Sequence, residues 1–301
     1  MLAKLINRVK VIKLTPQSLC LYRIITGFIV IVWLSLALNH QSLMAITQSL
    51  LSIILGVIGA IFANLSGAGG GVVFIPVFNL LNFSEAQTLS TSFTIQCFGM
   101  TAGAFSWSIY YHHHHRDNQQ WQAFFNIIIL TALFSVAGIW TVYGDLVNAP
   151  ASLSHTFSKF SIALGLSLLA QIYLVKVKTE PRLQLVTIDY IFLIAIGYFG
   201  GLITAWLSVG VGELLVLYLI FRGFNIAMSI ACAVVVTAIT VWSAAPEHLW
   251  LKSATVWDVA MYAGPGALIG GLLAKTLAQM ISTQSLKTVL GLWILAMGLA
   301  G

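Results

Sequence analysis

Two glycine-rich runs carry the chemistry most worth weighing in this sequence. The first is Ser66-Gly67-Ala68-Gly69-Gly70-Gly71 and the second is Ser208-Val209-Gly210-Val211-Gly212. Each interrupts apolar sequence, and a short apolar piece follows each, over 72–81 and 213–221. Non-helical backbone at membrane depth is tolerated only where protein or a water-filled cavity satisfies its polar groups. A glycine break ahead of a short helix leaves several N–H groups unpaired and aligned, and the helix dipole adds partial positive charge there. That combination makes an anion site without a charged side chain. Gly67, Gly69, Gly70 and Gly71 in the first run, and Gly210 and Gly212 in the second, are the candidate substrate ligands. The competing reading is close helix packing, since small residues let membrane helices approach. Recurrence of the break in both halves favours the site. Pro76 falls where the first short helix would otherwise continue, and is expected to keep it short or kinked.

Glu213 follows the second break directly, and its flanking sequence sets it away from the polar loops. An ionisable residue inside a membrane is a functional candidate. Two roles are open: a carboxylate capping the short helix, or a proton-coupling group. Arg222 could hold an oxyanion bidentately, but an arginine closing a helix on a basic face is better read as obeying the dipole. Thr88, Ser90, Thr91, Ser92 and Thr94 cluster after the first break, and Thr91 and Ser92 are the hydroxyls expected to complete an anion's shell. The aligned stretch in the second half lacks most of them, although Thr237 and Thr240 further along could substitute. The run His112-His113-His114-His115 invites a metal, but four adjacent residues cannot converge on one ion from a helix, so a solvated loop is expected. Cys20, Cys97 and Cys232 are scattered through apolar sequence and read as small buried residues. With no nucleophile–base pair and no phosphate-binding loop, neither an enzyme nor a cofactor or metal site is expected.

The elements that must position these residues are membrane helices. Of the 301 residues, 59% are hydrophobic and 7% charged. Soluble domains carry about one quarter charged residues, so this chain cannot cover a water-facing surface. Apolar runs lie at 24–38, 43–64, 86–111, 121–143, 157–175, 188–207, 226–245, 259–280 and 286–300. The first of them is expected to be an uncleaved helix rather than a signal peptide. About 20 apolar residues suffice to cross a bilayer. The order of runs and breaks repeats: Gly56, Gly59, Gly69 and Gly71 recur at one constant offset as Gly197, Gly200, Gly210 and Gly212. Internal repeats with interrupted helices at matching positions mark secondary transporters.

The formal net charge is +6. No basic stripe interleaves with aromatics, which argues against nucleic acid and for lysine and arginine held at the cytoplasmic face. If each short piece counts as a crossing and the N-terminus is cytoplasmic, the two repeats are inverted. Every basic residue except Lys159 and Lys252 then lies inside. The expected organisation is an all-α, multi-pass chain: a basic N-terminus and first helix over 1–42, a first repeat over 43–175, a cytoplasmic linker over 176–186, and a second repeat over 187–301.

With these segments laid out, the chain resembles the sulfite exporter TauE/SafE family, also called the toluene sulfonate uptake permease family, from about residue 50 to the C-terminus. The residues that carry the resemblance are Gly67-Ala68-Gly69-Gly70-Gly71 with Pro76 and Thr91-Ser92, then Gly200-Gly201, Gly210-Val211-Gly212-Glu213 and Pro265-Gly266-Ala267-Leu268-Ile269-Gly270-Gly271. The second half departs from the pattern with Leu217 in place of a proline and without the Thr-Ser pair. The resemblance implies a bacterial plasma-membrane carrier that exports a small sulfur-containing or organic anion, such as sulfite or an organosulfonate, using a proton or ion gradient. A passive anion channel built on the same helix ends is the alternative.

Overall fold

Glycine and polar junctions, rather than changes in hydropathy, set where the helices stop. The computed structural model describes residues 43–174, 182–281 and 283–300. The expected helix at 24–38 and most of the basic linker lie outside them. Among the described residues there are ten α-helices and no strand. The first half contributes α1 (Leu43–Ser66), α2 (Gly71–Leu80), α3 (Glu85–His114), α4 (Phe124–Tyr143) and α5 (Leu153–Leu174). The second contributes α6 (Thr187–Leu207), α7 (Val211–Phe221), α8 (Ile226–Pro246), α9 (Trp257–Met280) and α10 (Thr283–Ala300). Residues from Thr47 onward form one compact unit.

Among the described residues, three helical segments are long and apolar enough to cross a membrane: Gln119–Tyr143, Thr187–Leu207 and Ile226–Leu251. The run at 86–111, read from sequence as a span, folds as the 30-residue α3 but is not among them. Thr88, Ser90, Thr91, Ser92, Thr94 and Gln96 lower its hydropathy, and all six are buried. This helix therefore faces protein along that stretch rather than lipid. The α2 helix is ten residues long with Pro76 inside it, and the chain leaves it through Asn82 at φ +58°. The α8 helix runs on past the expected end into a π-helical turn, Glu247–Leu251.

The halves interlock. The first helix of each half packs on the fourth helix of the other. A Cβ on Gly56, Gly266 or Gly270 would strike the carbonyls of Ala263, Ile53 or Val57, so α1 and α9 touch backbone to backbone. In the matching pair, Gly197 and Gly201 of α6 sit against the carbonyls of Thr131 and Ser135 on α4. The third helices meet each other, running antiparallel: Ser90 at the start of α3 bonds to His248 beyond the end of α8, and Trp242 Nε1 donates to Thr101 Oγ1 at 2.6 Å. The fifth helices are antiparallel too, with Ser158 bonded to the Gly298 carbonyl and Gly165 packed on Gly291 and Leu295.

One end of the bundle gathers the α2–α3 turn, the end of α4 and the π-turn. There the buried His248 ring is stacked on Phe93 and bonded through Nε2 to Tyr143 Oη at 2.9 Å. The opposite end gathers His115, Arg116, Arg182, Asp189, Arg222 and Lys275. Asn225 Nδ2 donates to Gln120 Oε1 across it, and Lys275 lies over the Tyr110 ring.

Candidate substrate site at two crossed helix breaks

Both breaks are built by backbone that glycine permits. Gly67 ends α1 at φ +77°, Ser208 ends α6 at φ +59°, and Gly210 follows at φ +151°. The breaks cross in contact. A Cβ on Gly71 would lie 2.5 Å from the Ser208 carbonyl oxygen, and one on Gly212 would strike the Gly67 carbonyl. Gly71 corresponds to Gly212 in the repeat, and Gly67 to Ser208, so the two collisions are one contact seen from each half. The packing reading of these glycines is thus what the structure shows, and the close approach also places both breaks side by side. Absent side chains let two helix N-termini meet.

The amides at the crossing have specific partners. Gly69 N–H donates to Glu213 Oε1 at 2.8 Å and Gly210 N–H donates to Glu213 Oε2 at 2.7 Å. One carboxylate thus ties the break in the first half to the break in the second. Glu213 is only 2% exposed. Gly70 N–H donates to Gln96 Oε1 at 2.8 Å, and Gln96 Nε2 donates to Ser208 Oγ at 2.7 Å and to Ser92 Oγ at 3.1 Å. Ser92 Oγ and Ser208 Oγ share a further bond at 2.9 Å. Val211 N–H donates to Thr204 Oγ1 at 3.0 Å.

Of the residues expected from sequence, Gly67, Gly69, Gly70, Gly71, Ser92, Gly210, Gly212 and Glu213 come together at the crossing. Thr91 does not join them: its hydroxyl accepts from Val256 N–H at 2.9 Å and ties α3 to the loop before α9. Ser90 and Thr94 turn toward His248 and Thr255. Thr240 bonds to Ser135 on α4. Thr237 does reach the crossing, where its buried Oγ1 lies against Gly212 without a hydrogen-bond partner among the described residues. Sequence reasoning misses the roles of Gln96 and Ser208. The available signal for Gln96 is a lone amide inside an apolar run, one helical turn beyond Ser92 and so on the same face.

Arg222 lies away from the crossing. Its Nε donates to Asp189 Oδ1 at 2.7 Å, and Asp189 also accepts from Tyr218 Oη at 2.7 Å and Val186 N–H at 2.9 Å, with Arg182 at 3.5 Å. The arginine is thus a structural tie. The histidine run ends α3 at the same end of the bundle. His115 stacks on Trp121 with centroids 4.5 Å apart, and burial together with neighbouring His114 lowers its pKa below the ordinary value.

Chemically, the crossing offers aligned backbone donors, the Gln96 amide and the hydroxyls of Ser92, Ser208, Thr204 and Thr237, all buried. The two oxygens of Glu213 accept the N–H groups that face inward from both breaks. No curated protein and no solved structure matches the chain. A family model described as Sulfite exporter TauE/SafE matches residues 51–301, both breaks included. The chain belongs to the TauE/SafE sulfite exporter family of membrane transporters.

Proposed function

We propose that this chain is a secondary exporter of sulfite or a related organosulfonate in a bacterial plasma membrane, with the anion handled at the crossed breaks and its movement coupled to protons through Glu213. The observation that carries the reading is the bridge from Gly69 and Gly210 to the one carboxylate. A substrate anion and the Glu213 carboxylate compete for the same donors. When Glu213 takes up a proton, it loses acceptor strength and the amides become free for the substrate. When it releases the proton, the carboxylate displaces the anion. Proton and anion are therefore bound together at a single site and cross in the same direction, so export runs down the anion's own outward gradient and carries a proton with it.

The repeats are inverted in this reading. The antiparallel meeting of α3 with α8 and of α5 with α10 supports inversion, since each pair consists of equivalent helices. The basic end holding Arg116, Arg182, Arg222 and Lys275 is cytoplasmic by the positive-inside rule. Tilting one interlocked half against the other would expose the crossing alternately to each side.

The test is flux of a panel of anions in proteoliposomes containing the full chain. Saturable sulfite or sulfonate flux driven by an imposed pH gradient is expected. Non-saturating flux that ignores the gradient would instead mean a passive pore.

A further inference from the structure

A cavity opens at the end of the bundle that holds the α2–α3 turn, between α2, α3, α5 and α6. Exposed Asn79, Glu85 and Ser154 form its rim, while Thr88, Trp206 and Leu207 line it more deeply. Two polar atoms on these lining residues are anomalous. Thr88 Oγ1 and Trp206 Nε1 are both shut off from solvent and have no hydrogen-bond partner among the described residues. Thr88 is 3% exposed. Other threonines on the same helix satisfy their hydroxyls locally, Thr94 on the Ser90 carbonyl and Thr101 on the Cys97 carbonyl. A dry, unpartnered hydroxyl and indole N–H cost stability that a ligand with acceptor oxygens would restore.

The cavity wall shares helices α2, α3 and α6 with the crossing. Thr88, Ser92 and Gln96 recur every fourth residue and so stack along one face of α3, each about 6 Å beyond the last. Ser92 and Gln96 already hold Ser208 and the Gly70 amide. Leu207, in the cavity wall, directly precedes Ser208.

We propose that this cavity is an oxyanion vestibule on the extracytoplasmic side, in which the Trp206 indole N–H and the Thr88 hydroxyl bind the anion on its way between the crossed breaks and external water. The proposal rests on the reading that the crossed breaks handle an anion. Glu85, in the first turn of α3, sets a negative charge on the rim. That charge weakens anion retention and suits a release site rather than a high-affinity capture site.

The test measures the KM for sulfite presented from the extracytoplasmic face of proteoliposomes under exchange conditions. Trp206→Phe and Thr88→Val should each raise that KM by about tenfold, the loss of one hydrogen bond to a charged group, with kcat nearly unchanged. Thr88→Ser should keep the wild-type KM, because it retains the hydroxyl. Glu85→Gln should lower KM. Unaltered KM in both Trp206→Phe and Thr88→Val, in a preparation whose wild type exchanges sulfite, overturns the vestibule while leaving transport through the crossing intact. Absence of anion flux in the wild type itself overturns the transport reading, and the vestibule with it.

Discussion

The Gly69 amide and the Glu213 carboxylate, 144 positions apart in sequence, meet at 2.8 Å in the buried crossing. The same carboxylate takes the Gly210 amide at 2.7 Å, so a side chain from the second half caps the break of the first. A purely local cap would need only Gly210. The reach across to Gly69 makes Glu213 a structural tie between the two halves.

Gly71 and Gly212 should respond alike to substitution. Each faces a backbone carbonyl of the opposite break, Ser208 and Gly67, that cannot step aside without moving a helix end. Gly71→Ala and Gly212→Ala are expected to lower stability by about 1–3 kcal/mol, as overpacking does, and to suppress transport beyond that loss. Thermal unfolding in detergent and sulfite flux check both. Normal flux in Gly71→Val would reduce the first break to a dispensable packing feature.

Gln96 and Ser208 should separate in severity. Gln96→Leu leaves the buried Gly70 N–H without its acceptor, which costs about 1–3 kcal/mol. Ser208→Ala removes one partner but leaves Gln96 bonded to Ser92 Oγ and to the Ser208 carbonyl. Its cost should be nearer ~1 kcal/mol. Equal losses in both would mean that the amide of Gly70 does not depend on Gln96.

Arg222→Gln should change stability rather than substrate affinity. Asp189 is fully buried, and Arg222 supplies one of its bonds while Tyr218, Val186 N–H and Arg182 supply the others. Arg222 is one-third exposed, so a loss of about 1–3 kcal/mol is expected, with the KM for sulfite unchanged. A KM raised tenfold with stability intact would instead make Arg222 a substrate ligand.

Much of this arrangement was legible in the sequence because a run of glycines ahead of a short apolar piece, recurring in both halves, interrupts a helix as a single packing glycine does not. The two breaks, the short helices after them and the exceptional placement of Glu213 all follow from local composition. Arg222 as a helix-end residue was legible for the same reason. The role of Gln96 was not, because it depends on Gly70 lying opposite, a contact set by tertiary packing. Thr91 and Ser92 are adjacent in sequence and point in different directions on a helix, so only one reaches the crossing. The interlocking of α1 with α9 and of α6 with α4 also stays hidden, since small residues permit close approach without specifying a partner. The polar residues buried along α3 are explained by its place among other helices, which an apolar run alone does not reveal.

Orientation can be checked from outside the cell. Cysteines placed at Ala151 and Asp117, both exposed and at opposite ends of the bundle, should differ in labelling by a membrane-impermeant maleimide. In a background lacking Cys20, Cys97 and Cys232, the Ala151→Cys variant is expected to label in intact cells and Asp117→Cys only after permeabilisation. The reverse pattern would invert the assigned topology.

The most direct measurement of the central claim is sulfite accumulation against an imposed pH gradient in proteoliposomes, compared between wild type and Glu213→Gln, with sulfite binding measured alongside. In Glu213→Gln an NH2 donor replaces one of the two accepting oxygens, so one of the two amides loses its acceptor and can turn to the anion. Glu213→Gln is expected to bind sulfite at least as tightly as wild type and to lose gradient-driven accumulation. Unchanged accumulation in Glu213→Gln would contradict it and leave Glu213 as a helix cap alone.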